Sequence, residues 1–157
     1  MKKRFSMLSL VIFLVVLTSI AFAQNLIEIK EKAIQGDAQA QYNLGFMYYK
    51  GEGVKQDLSQ AKLWWEKAAA QGHVQAQNNL GFMYYKGWGV KQDFSQAKLW
   101  FEKAAAQGDA QAQNSLGLMH YEGEGVKQDF PQAKLWWEKA AAQGHATAKE
   151  LLELTSN

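Results

Sequence analysis

The chain has 157 residues, with 17 basic and 15 acidic side chains, one proline and no cysteine. That composition excludes a disulfide framework and any thiolate metal site. The near balance of charge leaves no basic stripe to displace counterions from a nucleic acid, so nucleic-acid binding is excluded too.

Lys2, Lys3 and Arg4 precede an almost unbroken apolar run over residues 7–20, and Ala21-Phe22-Ala23 supplies a small-x-small cleavage pattern. This reads as a signal peptide over residues 1–23, with a mature chain beginning at Gln24. The apolar run is short for a membrane span, so no stable membrane insertion is expected after cleavage. No cysteine follows it to carry a lipid anchor. The expected destination is export, to the periplasm or beyond. Without the leader's three cations the basic side chains number 17 − 3 = 14 against 15 acids, a formal −1, so the positive net charge belongs to the export signal.

Beyond the leader the sequence repeats itself. Gly36, Gly72, Gly108 and Gly144 stand 36 residues apart, and residues 37–72 match 73–108 at 30 of 36 positions. Residues 73–108 match 109–144 at 27 of 36. Repetition at this period marks stacked supersecondary units. Three units are therefore expected, over 37–72, 73–108 and 109–144. Residues 24–36 form an N-terminal capping helix that resembles an isolated second helix, with Ala33 in the place of Ala69. Residues 145–157 form a C-terminal capping helix and tail that resembles an isolated first helix, with Lys149, Glu150 and Glu153 as its polar finish.

Within a unit the apolar spacing predicts two helices. In the first unit, residues 37–50 carry Ala40, Leu44, Met47 and Tyr48 along one face. Residues 57–71 carry Leu58, Ala61, Trp64, Trp65 and Ala68. Gly51 suits a left-handed C-cap, and Asp57 suits the next N-cap. One helix pair cannot cover its own apolar faces, so the units must stack. Gly45, Gly81 and Gly117, with Ala68, Ala104 and Ala140, would let helices approach closely, and Trp64, Trp100 and Trp136 would fill the space between neighbours. The expected fold is all-α: a right-handed α/α superhelical solenoid of three helix pairs with a helix at each end.

The run Ala40-Gln41-Tyr42-Asn43-Leu44-Gly45, then Tyr48, Gly51, Gly53, Val54, Asp57, Ala61, Trp64, Ala68, Ala69 and Gly72, resembles the Sel-one-like repeat, a branch of the tetratricopeptide-like α/α solenoids. The resemblance covers about residues 26–154. It implies a concave surface presented to peptides or proteins, and an exported adaptor at the bacterial envelope or on host cells. Cysteine-rich relatives associated with penicillin-type compounds have no cysteine counterpart here.

At 100° per residue, positions 39, 42, 46, 49 and 50 fall within an arc of about 100° away from the Leu44–Tyr48 face. By resemblance to tetratricopeptide grooves this arc lines the concave side. It offers Gln39, Tyr42, Phe46, Tyr49 and Lys50 in the first unit. The second offers Gln75, Asn78, Phe82, Tyr85 and Lys86, and the third Gln111, Asn114, Leu118, Tyr121 and Glu122. Amides can pair with an extended backbone, and tyrosines give rigid contact area. Phe46, Phe82 and Leu118 fit the groove or the inter-helix core equally. Trp88 replaces the Glu52 and Glu124 of the other units, either as an exposed contact or folded back on a neighbour. The expected binding set is Gln39, Tyr42, Tyr49, Gln75, Asn78, Tyr85, Trp88, Gln111, Asn114 and Tyr121.

No catalytic residue, metal ligand set or cofactor is assigned. The Gly-x-Gly turns follow helices and no Lys-Ser or Lys-Thr follows them, so they are not phosphate cradles. His73 and His145 take the helix-start position of Asp37 and Asp109, and His120 takes that of Tyr48; no His-x-x-x-His pair exists. Function is read as a scaffold binding a protein segment rather than an enzyme. The alternative from another class is an envelope enzyme or glycan-binding factor acting on peptidoglycan or β-lactams, with possible cell-wall glycan contact.

Overall fold

The computed structural model describes the backbone of residues 7–155 and the side chains of 11–18, 20, 21 and 23–155. Among these residues lie eight α-helices and no strand: α1 (Met7–Ile34), α2 (Ala38–Lys50), α3 (Leu58–Ala70), α4 (Val74–Lys86), α5 (Phe94–Ala106), α6 (Ala110–Glu122), α7 (Phe130–Ala142) and α8 (Ala146–Thr155). Each packs on the next in chain order, and α4 also meets α6 directly. The first helices of the units therefore form an inner layer and the second helices an outer one.

Caps set these boundaries. The Asp37 carboxylate accepts from Ala40 N–H, and Asp57 accepts from the N–H groups of Ser59 and Gln60. Gly51, Gly87 and Gly123 close the first helices at φ 77°, 72° and 77°, a left-handed conformation that a side chain would strain. The second helices end differently. Gly72 N–H donates to Ala69 O at 3.0 Å and His73 N–H to Ala68 O at 3.1 Å, which is the two-bond Schellman closure.

The glutamine beside each closure also joins the units. Gln71 Nε2 donates to Gly36 O at 2.9 Å and to Gln41 Oε1 at 2.8 Å, while Gln41 Nε2 donates to Ala33 O at 3.1 Å. Gln107 and Gln77 repeat this one unit on. Gln41, Gln77 and Gln113 are consequently buried yet satisfied, the condition under which a buried amide is tolerated.

Close helix approach comes at the glycines. A Cβ at Gly45 would stand 2.5 Å from Trp65 Cδ1, and one at Gly81 would stand 2.5 Å from Phe101 Cδ1. The fully buried rings are Trp65, Phe101 and Trp137. The neighbouring Trp64, Trp100 and Trp136 are half-buried, with Lys67, Lys103 and Lys139 ammoniums 4.1, 4.1 and 4.2 Å over their rings. Trp100 packs against the cluster formed by α3 and α4, and Trp136 against that formed by α5 and α6.

The ends depart from the repeat. Lys32 on α1 stands at the repeat position of Ala68, and Glu153 on α8 at that of Gly45. Both are exposed, and a charge at a close-packing position makes a poor seat for another helix. The leader and the N-terminal cap are not separate elements. Nothing between residues 20 and 26 is a glycine or proline, so α1 runs unbroken through the cleavage signature. Within Val11–Ile34 an 18-residue stretch of mean hydropathy 1.9 is long and apolar enough to cross a membrane by length and composition alone, as a signal sequence near an N-terminus also is.

Candidate functional site

Two pockets open side by side on the inner layer and share Phe82. The first, about 390 Å³, is lined by Phe46 and Tyr49 of α2, Trp65 of α3, Asn79, Phe82 and Met83 of α4, Trp88 in the turn after α4, and Gln111 of α6. The second, about 240 Å³, is lined by Phe82, Tyr85, Lys86, Phe101, Ser115, Leu118 and Glu122. Phe46, Phe82 and Leu118, which the sequence left open between groove and core, serve as both. They are half-buried and form pocket walls.

A continuous aromatic lining builds the first pocket. Tyr49 lies 6.3 Å from Phe46, 5.6 Å from Trp65 and 6.0 Å from Trp88, ring centre to ring centre. Trp88 thus folds back on the preceding unit and still leaves 43% of itself in solvent, so it meets both expectations in part. Lys50 Nζ sits 5.6 Å above Tyr49, and Lys86 Nζ 4.9 Å above Tyr85, which brings two cations to the rim. The third unit has Glu122 at that position. Tyr85 packs edge-on to Phe94 at 5.5 Å, and its hydroxyl donates to Glu122 Oε2 at 3.3 Å. Burial, then the carboxylates of Glu124 and Glu122, hold its ionisation well above the ordinary phenol range.

The remaining expected residues are distributed elsewhere. Tyr42 stacks on His73 at 4.6 Å. The His73 Nδ1 accepts from Ala76 N–H, so its proton is on Nε2, which donates to Gln39 Oε1 at 3.2 Å. Gln39 in turn donates to Asn43 Oδ1 at 2.9 Å and borders a polar hollow beside α1. Burial lowers the His73 pKa. Gln111 accepts in the same way from His145 Nε2 at 3.1 Å while facing the first pocket. Gln75 is exposed outside both pockets. Tyr121 is at the C-terminal end, edge-on to Phe130 at 5.3 Å and tilted against Trp137 at 5.5 Å.

Asn114 needs correction as a groove contact, since it is only 3% exposed, whereas Asn78 is half-buried and lines neither of the two pockets; the Oδ1 atoms of both are buried without a hydrogen-bond partner. Asn79 and Ser115, one residue on, line the pockets instead. Trp65, Met83 and Phe101 are further lining residues outside the expected set. A 79, 82, 83, 86 spacing along α4, at i, i+3, i+4 and i+7, was the sequence signal for Asn79.

His120 stands away from both pockets, and burial leads in lowering its pKa. Among the described residues no group of three His, Cys, Asp or Glu side chains could hold a metal ion.

The family model of the Sel1 repeat matches residues 38–73, 74–109 and 110–145. The chain belongs to the Sel1 repeat family. Such repeats are in general protein-interaction scaffolds. Its fold is similar to that of the Sel1 repeat protein from Oxalobacter formigenes: TM-score 0.76 and 41% identity over 83% of this chain and 98% of that one. It is similar also to c5321, a protective antigen of uropathogenic Escherichia coli with an SLR fold, at TM-score 0.77 and 44% identity. That match covers 78% of this chain and 26% of c5321. Cysteine rich protein B of Helicobacter pylori matches at TM-score 0.64 and 27% identity, over 80% of this chain and 95% of its own. Among curated proteins, the secretory immunoglobulin A-binding protein EsiB of Escherichia coli O6:H1 is 43% identical over 44 residues. This chain spans 9% of EsiB's length, and the matched segment is 28% of this chain.

Proposed function

We propose that this chain is an exported scaffold that binds an extended protein segment along α2, α4 and α6. The observation that carries the reading is the pair of adjoining pockets sharing Phe82, with aromatic walls and the amides of Asn79 and Gln111 beside them. Apolar or aromatic side chains of the segment fill the pockets while the amides pair with its backbone. Lys50 and Lys86 on one flank and Glu122 on the other give the groove a polarity, so an acidic end of the segment lies over the first two units. A protein ligand agrees with the name of EsiB, which records binding to an immunoglobulin. The leader over residues 1–23 supports export, and a mature N-terminus at Gln24 would be read directly by sequencing the recovered protein.

The test is photocrosslinking from a probe placed at Gln111, inside the groove, against one at Leu99, exposed on the outer helix α5. A protein captured from Gln111 and not from Leu99 supports the reading, and Phe82→Asp should abolish that capture while helicity is retained. Capture from Leu99 alone, or co-sedimentation with cell-wall glycan and no protein, overturns it.

A further inference from the structure

Most glutamines of the solenoid have structural work. Gln71 and Gln107 tie one unit to the next, and Gln56, Gln92 and Gln128 each donate to a tyrosine carbonyl across a turn at 2.8 Å. Gln24 does neither. It is exposed at the rim of the polar hollow beside α1, and its amide makes no hydrogen bond among the described residues. It is also the residue that the Ala21-Phe22-Ala23 signature makes the first of the mature chain.

Packing holds α1 only further along. Ala33, at 1% exposure, forms a core cluster with Ala40 and Leu44 of α2, and Ile29 packs against it. Before Ile29, Leu26 alone is half-buried, while Gln24, Asn25, Ile27 and Glu28 are exposed. Cleavage removes the carbonyls that the N–H groups of this turn use in the longer helix, leaving them without intrahelical partners. A helix end with so little burial frays. Cleavage also places an α-ammonium at the positive end of the helix dipole, which is the wrong sign there. Both effects loosen Gln24 from the helix, and the second favours the neutral amine. An α-amine already titrates closer to neutrality than a lysine does.

We propose that Gln24 is a modification site, at which the mature chain closes its own N-terminus as a pyroglutamyl ring. The inference rests on the reading of residues 1–23 as a cleaved leader. The neutral α-amino nitrogen attacks the side-chain amide carbon Cδ. A bond from that nitrogen to Cδ forms as the Cδ–Nε2 bond breaks, and Nε2 leaves as ammonia with the proton that the amine gives up. Nucleophile and amide belong to one residue, so the step is unimolecular and needs no co-reactant. The lactam restrains φ as a proline ring does, a restraint that the first position of a helix accepts. The closed end carries no charge against the helix dipole and offers no amine to an aminopeptidase. It thereby protects the helix that covers Ala40 and Leu44 of the first unit.

Mass spectrometry of the chain expressed from Met1 and recovered from the exported fraction tests this. The intact protein should weigh one ammonia less than residues 24–157, and fragmentation of the tryptic peptide 24–30 should place the loss at Gln24. Gln24→Glu should keep its full mass, because the amine does not attack a carboxylate. Exposed to an aminopeptidase, wild type should stay at full length while Gln24→Glu loses residues from this end. A chain that begins at Gln24 and keeps both amine and amide through days at neutral pH would overturn the ring and leave the leader reading standing. A chain that retains residues 1–23, or begins elsewhere, would overturn both. Wild type trimmed as fast as Gln24→Glu would overturn the protective role. Capture at Gln111 reports on segment binding separately, since Gln24 lines neither groove pocket.

Discussion

Gly81→Ala sets helix propensity against packing, and the structure decides the sign. In an open helix the substitution would stabilise by about 1 kcal/mol. Here the new Cβ would lie 2.5 Å from both Cδ1 and Cε1 of Phe101, a ring at 0% exposure. Carbon contacts rest at about 3.5–4.0 Å, so ring or helix must give by about 1 Å. Overpacking of this kind costs roughly 1–3 kcal/mol, against the propensity gain of about 1 kcal/mol. The expected result is a net destabilisation of up to about 2 kcal/mol, or a fall of up to roughly 8 °C in Tm. Urea unfolding followed by tryptophan fluorescence measures it. In a Phe101→Ala background the obstructing γ, δ and ε carbons of the ring are gone, and Gly81→Ala should then stabilise by about 1 kcal/mol. Stabilisation in the wild-type background, or equal destabilisation in both, would refute the close-approach account of this glycine.

Two further outcomes follow from the joints between units. Gln77→Leu removes the acceptor of Gln107 and the side-chain donor to Ala69 O, which keeps its bond from Gly72 N–H; two hydrogen bonds of the joint are lost, so stability should fall by about 1–3 kcal/mol. The exposed Gln75→Leu should change it by less than about 0.5 kcal/mol in the same urea assay. Burial lowers the pKa of His73 in the folded chain, so the folded state binds fewer protons than the unfolded one on acidification. Stability contributed by neutral His73 is therefore present above the ordinary histidine value of about 6.5 and is lost as pH falls through it. Protonation also ends Nδ1's acceptance from Ala76 N–H. His73→Asp restores the cap found at Asp37 and Asp109. It should make unfolding midpoints less sensitive to acid than wild type, leaving His120, shifted in the same direction, to supply the remainder. An unchanged slope of midpoint against pH would contradict this.

The repeat made most of the fold legible, because capping and close packing recur at fixed spacing. Asp57, Gly51 and Gly45 each have a local physical reason to be where they are, and three copies repeat it. Orientation about the helix axis was less legible. Adjacent positions such as 78 and 79 differ by about 100°, and the seating of α5 and α7 decides which of them faces the groove. Two adjacent tryptophans pose the same difficulty. Trp65 takes the buried place because its ring lies over Gly45, a contact 20 residues away in sequence that no local pattern encodes. The joint between Gln41 and Gln71 was not legible: both look like surface amides until the Schellman closure brings them together and buries Gln41. The cleavage signature at Ala21-Phe22-Ala23 describes processing and says nothing about conformation, so the continuity of α1 lay outside its reach.

Divergence between the units is not spread evenly, and its placement bears on selectivity. Residues that join the helices are the same in every unit: the glycines at 45, 81 and 117, the glutamines at 41, 77 and 113, and the alanines at 68, 104 and 140. Positions on the pocket walls differ, as in Phe82 against Leu118, Asn79 against Ser115, Lys86 against Glu122, and Trp88 against Glu124. Duplication alone would yield identical pockets, and identical pockets cannot fix the register or direction of an extended ligand. The first pocket has gained an indole, and the second a carboxylate and a smaller floor. A segment that slides by one unit therefore exchanges an aromatic wall for an acidic one, which makes one register better than the next. On the proposed segment-binding reading, selectivity would thus arise from the few positions where the copies disagree, held in place by the many where they do not.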